Sequence, residues 1–138
     1  MGFPATDPEA VIVARIDAQT SLTTGTDLFS GPERPPDPAS GMPHAAVFVR
    51  RVGDESSPDM GVSSDDRYYR LQVLVRGDPD GRAAAMTTGN DVASALNRWL
   101  PGSGGYVECR VVNGPIDLGV DDTEHPRFSL NLRLFFSG

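Results

Sequence analysis

Few side chains in this sequence are equipped for acid, base or metal chemistry. Histidine occurs twice, at His44 and His125, each beside a proline. A metal-binding helix places two ligands about one turn apart, and neither histidine has such a companion. They read as solvent-facing loop residues. The one cysteine, Cys109, sits between Glu108 and Arg110 in a strand-like run, where burial as a small hydrophobe is the natural reading. A lone thiol also excludes an internal disulfide and a multi-thiol metal site.

Acidic pairs occur at Asp54-Glu55, Asp65-Asp66 and Asp121-Asp122, all in expected loops. A glycosidase-type pair needs one carboxyl in an apolar pocket, so these read as solvated charges. Asp78-Pro79-Asp80-Gly81 has the wrong spacing for a calcium loop, and Gly89 stands where the terminal Glu is required. Gly102-Ser103-Gly104-Gly105 follows a helix and precedes a strand, the reverse of a phosphate-binding turn. No G-x-S-x-G elbow is present. Arg76-Gly77-Asp78 reads as a strand end, a turn and a helix cap rather than an adhesion motif, and Met1 to Thr6 is too short a match to signal myristoylation. The expectation is a protein without catalytic residues, cofactor or metal.

Composition points the same way. The net charge is -7, from 19 acidic and 12 basic residues, and every basic residue is Arg. An acidic chain without clustered cations is poorly suited to ordinary nucleic-acid binding. Arg, with its planar fork, pairs well with carboxylates across protein contacts. No stretch approaches the roughly 18 apolar residues of a membrane span, and the first twenty residues lack a leader pattern, so an unprocessed intracellular product is expected. With 15 Gly and 12 Pro among 138 residues, one domain of residues 1-138 with long loops is expected.

The elements that would carry these residues follow from capping and periodicity. Asp7-Pro8-Glu9 opens a helix running to about Ala18, although the β-branched Val11, Ile12 and Ile16 leave a strand as the alternative. Leu28-Phe29 offers a hydrophobic anchor, and a long Pro-rich loop covers about 30-43. Ala45 to Val52 predicts a strand. Arg67 to Arg76 predicts another, with Tyr69, Leu71, Val73 and Val75 alternating against a more polar face. Asp78-Pro79 starts a second helix, with its apolar stripe between Ala83 and Leu100. Tyr106 to Val112 is a third strand. The fourth alternates Phe128, Leu130, Leu132, Leu134 and Phe136 against Arg127, Ser129, Asn131, Arg133 and Phe135.

The order helix-strand-strand-helix-strand-strand predicts an α+β fold: a four-stranded sheet, antiparallel or mixed, with two helices on one face. The other face would carry Arg70, Arg76, Asn131 and Arg133. These four are the candidate subunit interface, with a plain solvated face as the alternative.

Three segments together resemble the tail terminator, or minor capsid, proteins of long-tailed bacteriophages and phage-derived particles. Leu22-Thr23-Thr24-Gly25 with Leu28-Phe29 resembles that family's glycine-containing turn and Leu-Phe anchor. Tyr69 to Gly77 is similar to its strand ending in Val-Arg before the second helix. Gly119 to Asp122, followed by Arg127 to Arg133, is similar to a Gly-x-Asp turn leading into a final strand. The Pro-rich loop and His125-Pro126 depart from the pattern.

The resemblance implies a non-enzymatic virion protein at the head-tail interface, assembled in the host cytoplasm. Its homo-oligomer would be a six-fold ring that caps the head-proximal end of the tail tube, stops tube polymerisation and offers a surface for head attachment. Implied partners are the major tail tube protein below and a head-completion or stopper protein above. DNA would pass through the lumen without specific binding, and no membrane is involved. A stopper, a head-completion protein or a tube subunit is the alternative reading, and an enzyme or small-ligand module the third. Physically, a ring that matches a growing tube end on one side only would stop growth. An acidic lumen would let DNA slide past.

Overall fold

The computed structural model describes residues 6–52, 67–102 and 104–136. The first helix, α1 (Pro8–Gln19), begins as its sequence dictates: the Asp7 carboxylate accepts from the Glu9 N–H, and Pro8 occupies the first turn. Ile12, Val13 and Ile16 bury their side chains, which settles the helix-or-strand alternative for helix. Leu28-Phe29 does more than anchor a loop. It forms a short strand, β1 (Leu28–Ser30), parallel to β2 (Ala46–Arg51).

β2 then pairs antiparallel with β3 (Arg67–Arg76). After the second helix, α2 (Arg82–Leu96), come β4 (Tyr106–Val120) and β5 (Pro126–Phe136). The sheet order is β1-β2-β3-β5-β4, so the fold is α+β with a mixed sheet of five strands rather than the expected four.

Both helices cover one face. Tyr69, Leu71, Val73 and Val75 on β3, and Phe128 to Phe136 at alternate positions on β5, meet Ile12, Ile16, Val92 and Leu96 in one core. Fully burying each Leu, Ile or Phe stabilises the fold by about 1.5–3 kcal/mol, so the two central strands anchor the domain. The period-2 alternation of β3 and β5 is thus physically realised.

Three boundaries differ from expectation. Asp78 does not cap α2: its carbonyl accepts from the Gly81 N–H in a turn, and the helix starts at Arg82 with no side-chain cap. The helix also ends at Leu96, and Trp99 instead bridges Cys109 on β4. Most consequentially, β4 runs past Val112 to Val120, with register shifts absorbing Asn113 to Pro115. The expected turn at Gly119 to Asp122 therefore begins later, with the Glu124 N–H donating to the Asp121 carbonyl.

Glycines make this extension possible. A Cβ on Gly114 would lie 2.6 Å from the Ser129 carbonyl oxygen, and its φ of +118° is closed to most side chains. Gly89 on α2 similarly lets Pro115 approach, with 3.2 Å between a Cβ there and the proline ring. Pro115 itself is tolerable because β4 is an edge strand.

Candidate functional site

The sheet face away from the helices carries most of the polar side chains singled out in the sequence. Arg70, Arg133 and Arg110 stand in register across β3, β5 and β4, and Gln72 faces Asn131 one pair further on. Like charges directly opposite one another are destabilising. Here they are moderated by aromatic faces and one acid: Arg133 lies 4.8 Å from the Tyr68 ring centroid and Arg110 lies 5.4 Å from that of Phe135. Glu108 pairs with Arg110 at 3.0 Å. Arg70 is exposed, while Asn131 and Arg133 are half-buried. The row presents guanidinium groups suited to carboxylates on another molecule.

Arg76 does not join them, although its strand parity is the one expected. Residues before β2 fold back over this end of the sheet, and Arg76 is 2% exposed. Its Nε donates to the His44 carbonyl at 2.7 Å, its Nη2 to that of Pro43 at 2.8 Å, and its Nη1 to that of Arg34. Glu33 completes the set at 3.3 Å and also accepts from Arg127 at 2.7 Å. The guanidinium plane lies over Phe48, 5.2 Å from its ring centroid. Beneath the loop, Met42, Ala46, Phe48 and Leu74 form a second small core, with Phe29 packed on it. Arg76 is the internal pin of the Pro-rich loop, and this burial also removes Arg76-Gly77-Asp78 as an adhesive tripeptide.

Of the two histidines, His44 is exposed in its loop as expected, and His125 is not. His125 is 2% exposed, and its Nε2 lies 2.8 Å from Nδ1 of His44. Proton positions follow from the neighbours. The Asp121 carboxylate can only accept, so the Thr123 hydroxyl, at 2.8 Å, donates to it. That hydroxyl, 2.7 Å from His125 Nδ1, then accepts from the ring N–H, leaving Nε2 to accept from His44. One line of hydrogen bonds thus ties the loop end to the β4–β5 turn. Partial burial pushes the Asp121 carboxyl up, but hydrogen bonds from the His125 and Thr123 backbone N–H groups and side chains outweigh it. They hold it well below the ordinary carboxylate range. Of the expected solvated acid pair, Asp122 is exposed and Asp121 is not free.

The thiol is inert. Cys109 is fully buried, and desolvation together with Glu108 pushes its pKa up to about 12. Desolvation likewise raises Tyr106 to about 12. Among the described residues, no group of three or more His, Cys, Asp or Glu is placed to hold a metal ion, and no helix is long and apolar enough to cross a membrane. Asp54-Glu55, Asp65-Asp66 and Met1 to Ala5 lie outside the described residues.

Sequence reasoning missed one surface altogether. The distal half of β4 exposes Val112, Ile116, Leu118 and Val120, the last 62% accessible. The signal was present in the alternation of Ile116, Leu118 and Val120, but Gly114, Pro115 and Gly119 made the segment read as loop.

No protein-family model matches this sequence, and none of the curated proteins matches it. Among solved structures, a chain of the structure titled virion of native gene transfer agent particle is similar in fold. Its TM-score is 0.59 at 19% sequence identity, over 95% of this chain and 87% of that one.

Proposed function

We propose that this chain is a structural virion protein of a tailed phage or phage-derived particle, and within that class the tail terminator. The observation that carries the reading is the fold shared with a gene transfer agent virion chain over 95% of the present chain. The terminator assignment rests on the segments at Leu22 to Phe29, Tyr69 to Gly77 and Gly119 to Arg133, read in that order. In this role a ring of copies caps the head-proximal end of the tail tube, stops its polymerisation and receives the head-completion or stopper protein. The acidic chain lets DNA pass without sticking.

The guanidinium row is the proposed subunit contact, with Arg70, Asn131 and Arg133 as its members. Like charges aligned across neighbouring strands suit carboxylates supplied by another molecule. Arg76, sealed inside its own chain, acts on that contact through the fold alone.

The test is electron microscopy of lysates from cells making particles without this protein. Overlong or unterminated tails with unattached heads are expected. Tails of normal length lacking heads would reassign the chain to a stopper, absent tails would reassign it to a tube subunit, and intact particles would overturn a structural role. In the complementing strand, R70A/R133A should reproduce the defect while the purified variant keeps its circular dichroism spectrum.

A further inference from the structure

The helical layer bears an apolar groove of about 430 Å³ between α1 and the segment joining α2 to β4. Ala10, Ala14 and Ala18 form its α1 wall and Trp99 and Pro101 the opposite one. These alanines are exposed on the helix surface. Arg15 stacks on Trp99, 5.0 Å from its centroid, with its Nε donating to the Ala95 carbonyl at 2.9 Å, and Arg98 stands exposed close by. The Trp99 side of the rim is therefore basic, while Asp7, at the α1 cap, and Asp17 stand exposed on the α1 side.

The distal half of β4 has the complementary character. Ile116, Leu118 and Val120 project apolar side chains from an edge strand, and the adjoining turn carries the exposed acids Asp122 and Glu124. This arm is held rather than loose. Gly114 packs against β5, Arg82 pairs with Asp117, and the His44–His125 bond fixes the turn. Groove and arm belong to opposite parts of the fold: Trp99 adjoins β4 at Cys109, whereas the turn lies against His44. They cannot meet within one copy.

We infer that the β4 arm of one copy seats in the α1–Trp99 groove of the next. The occupant is a second copy of this chain because arm and groove match in both respects, apolar centre to apolar centre and acidic turn to the Arg15 and Arg98 side of the rim. Such a contact joins two different surfaces, so it is head-to-tail and closes into a ring only by repeated rotation. It rests on the ring reading above and supplies the receiving surface which that reading lacks.

Cross-linking tests it. A14C and V120C place thiols at exposed positions of groove and arm, while the buried Cys109 thiol stays unreactive. Mixing the two single variants under mild oxidant, in purified protein and in particles, should give a dimer about a hundredfold faster than either variant alone, as contact raises effective concentration. The double variant should give a ladder that stops at a closed ring. Adding R98E should slow the reaction, and E124R on the arm partner should restore it. V120C linking to itself as fast as to A14C, or no preference in either sample, overturns the contact. Ladders in particles whose tails terminate normally without the protein would keep the contact and reject the terminator reading. Overlong tails without ladders would do the reverse.

Discussion

Two neighbouring regions beside the β4–β5 turn invert the usual rule of burial. In the loop-covered one, an Arg, a His and part of an Asp lie inside, while along the arm of β4 four large aliphatic side chains lie outside. The first region is closed: the Arg76 guanidinium finds its partners within the chain, three backbone carbonyls among them, and beside it Arg127 leaves its buried Nε unpaired. The second is open, with apolar area that nothing among the described residues covers. A charged group inside, fully hydrogen-bonded, indicates a finished structure. An apolar strand outside, on a braced edge, indicates an unfinished one that a partner completes.

Replacing the buried guanidinium should give the largest effect. Arg76→Met keeps the apolar stem but strands the carbonyls of Arg34, Pro43 and His44 and leaves Glu33 short of one partner. A loss of about 3–5 kcal/mol is expected, read by urea denaturation. Arg76→Lys should recover little, since one ammonium cannot reproduce the planar fork. A loss under about 1 kcal/mol would mean that the loop is not pinned there, and the closed region would be no more finished than the arm.

An intermediate effect belongs to the link between the regions. Asp121→Asn should cost about 1–2 kcal/mol, because its carboxylate accepts from two backbone N–H groups and the Thr123 hydroxyl. The folded protein holds this carboxyl below its unfolded value of about 3.9. Its contribution is therefore complete above that value and is lost as pH falls through it toward the lower folded one. Stability measured from pH 6 down to about pH 2 should fall less steeply in the variant than in the parent. Equal slopes would show that Asp121 does not hold the turn.

How far this contrast could be read from the sequence differs between its halves. Alternation placed Arg76 on the correct face of β3 and Tyr69 to Val75 on the core side, because side-chain direction is a local property of an extended chain. Whether a face is covered is not local. Glu33, His44 and His125 are brought to Arg76 by chain folding over separations that no periodicity encodes. His125 therefore looked solvent-facing, and Arg76 looked like a companion of Arg133. The arm was missed for the opposite reason: Gly114, Pro115 and Gly119 are loop signals, yet contact with β5 and α2 overrides them. Arg70, Asn131 and Arg133 were legible as a set because no loop covers their stretch of β3 and β5 among the described residues.

The smallest effect on the fold should come from the arm, and its smallness is what the comparison requires. Ile116→Thr with Val120→Thr retains β-branching, and therefore strand preference, while replacing a methyl-bearing branch by a hydroxyl that water can satisfy. Side chains 41% and 62% exposed in the monomer lose little packing on this change. The double variant should unfold within about 0.5 kcal/mol of the parent in urea, while sedimentation velocity shows weaker self-association. The ratio of the two effects is the informative quantity. Arg76→Met should weaken the fold itself, whereas the arm variant should leave a sound monomer that no longer assembles. If instead the threonine variant lost more than about 1 kcal/mol, the arm would be packed within its own chain. Both regions would then be closed, and the groove on α1 would need a different occupant.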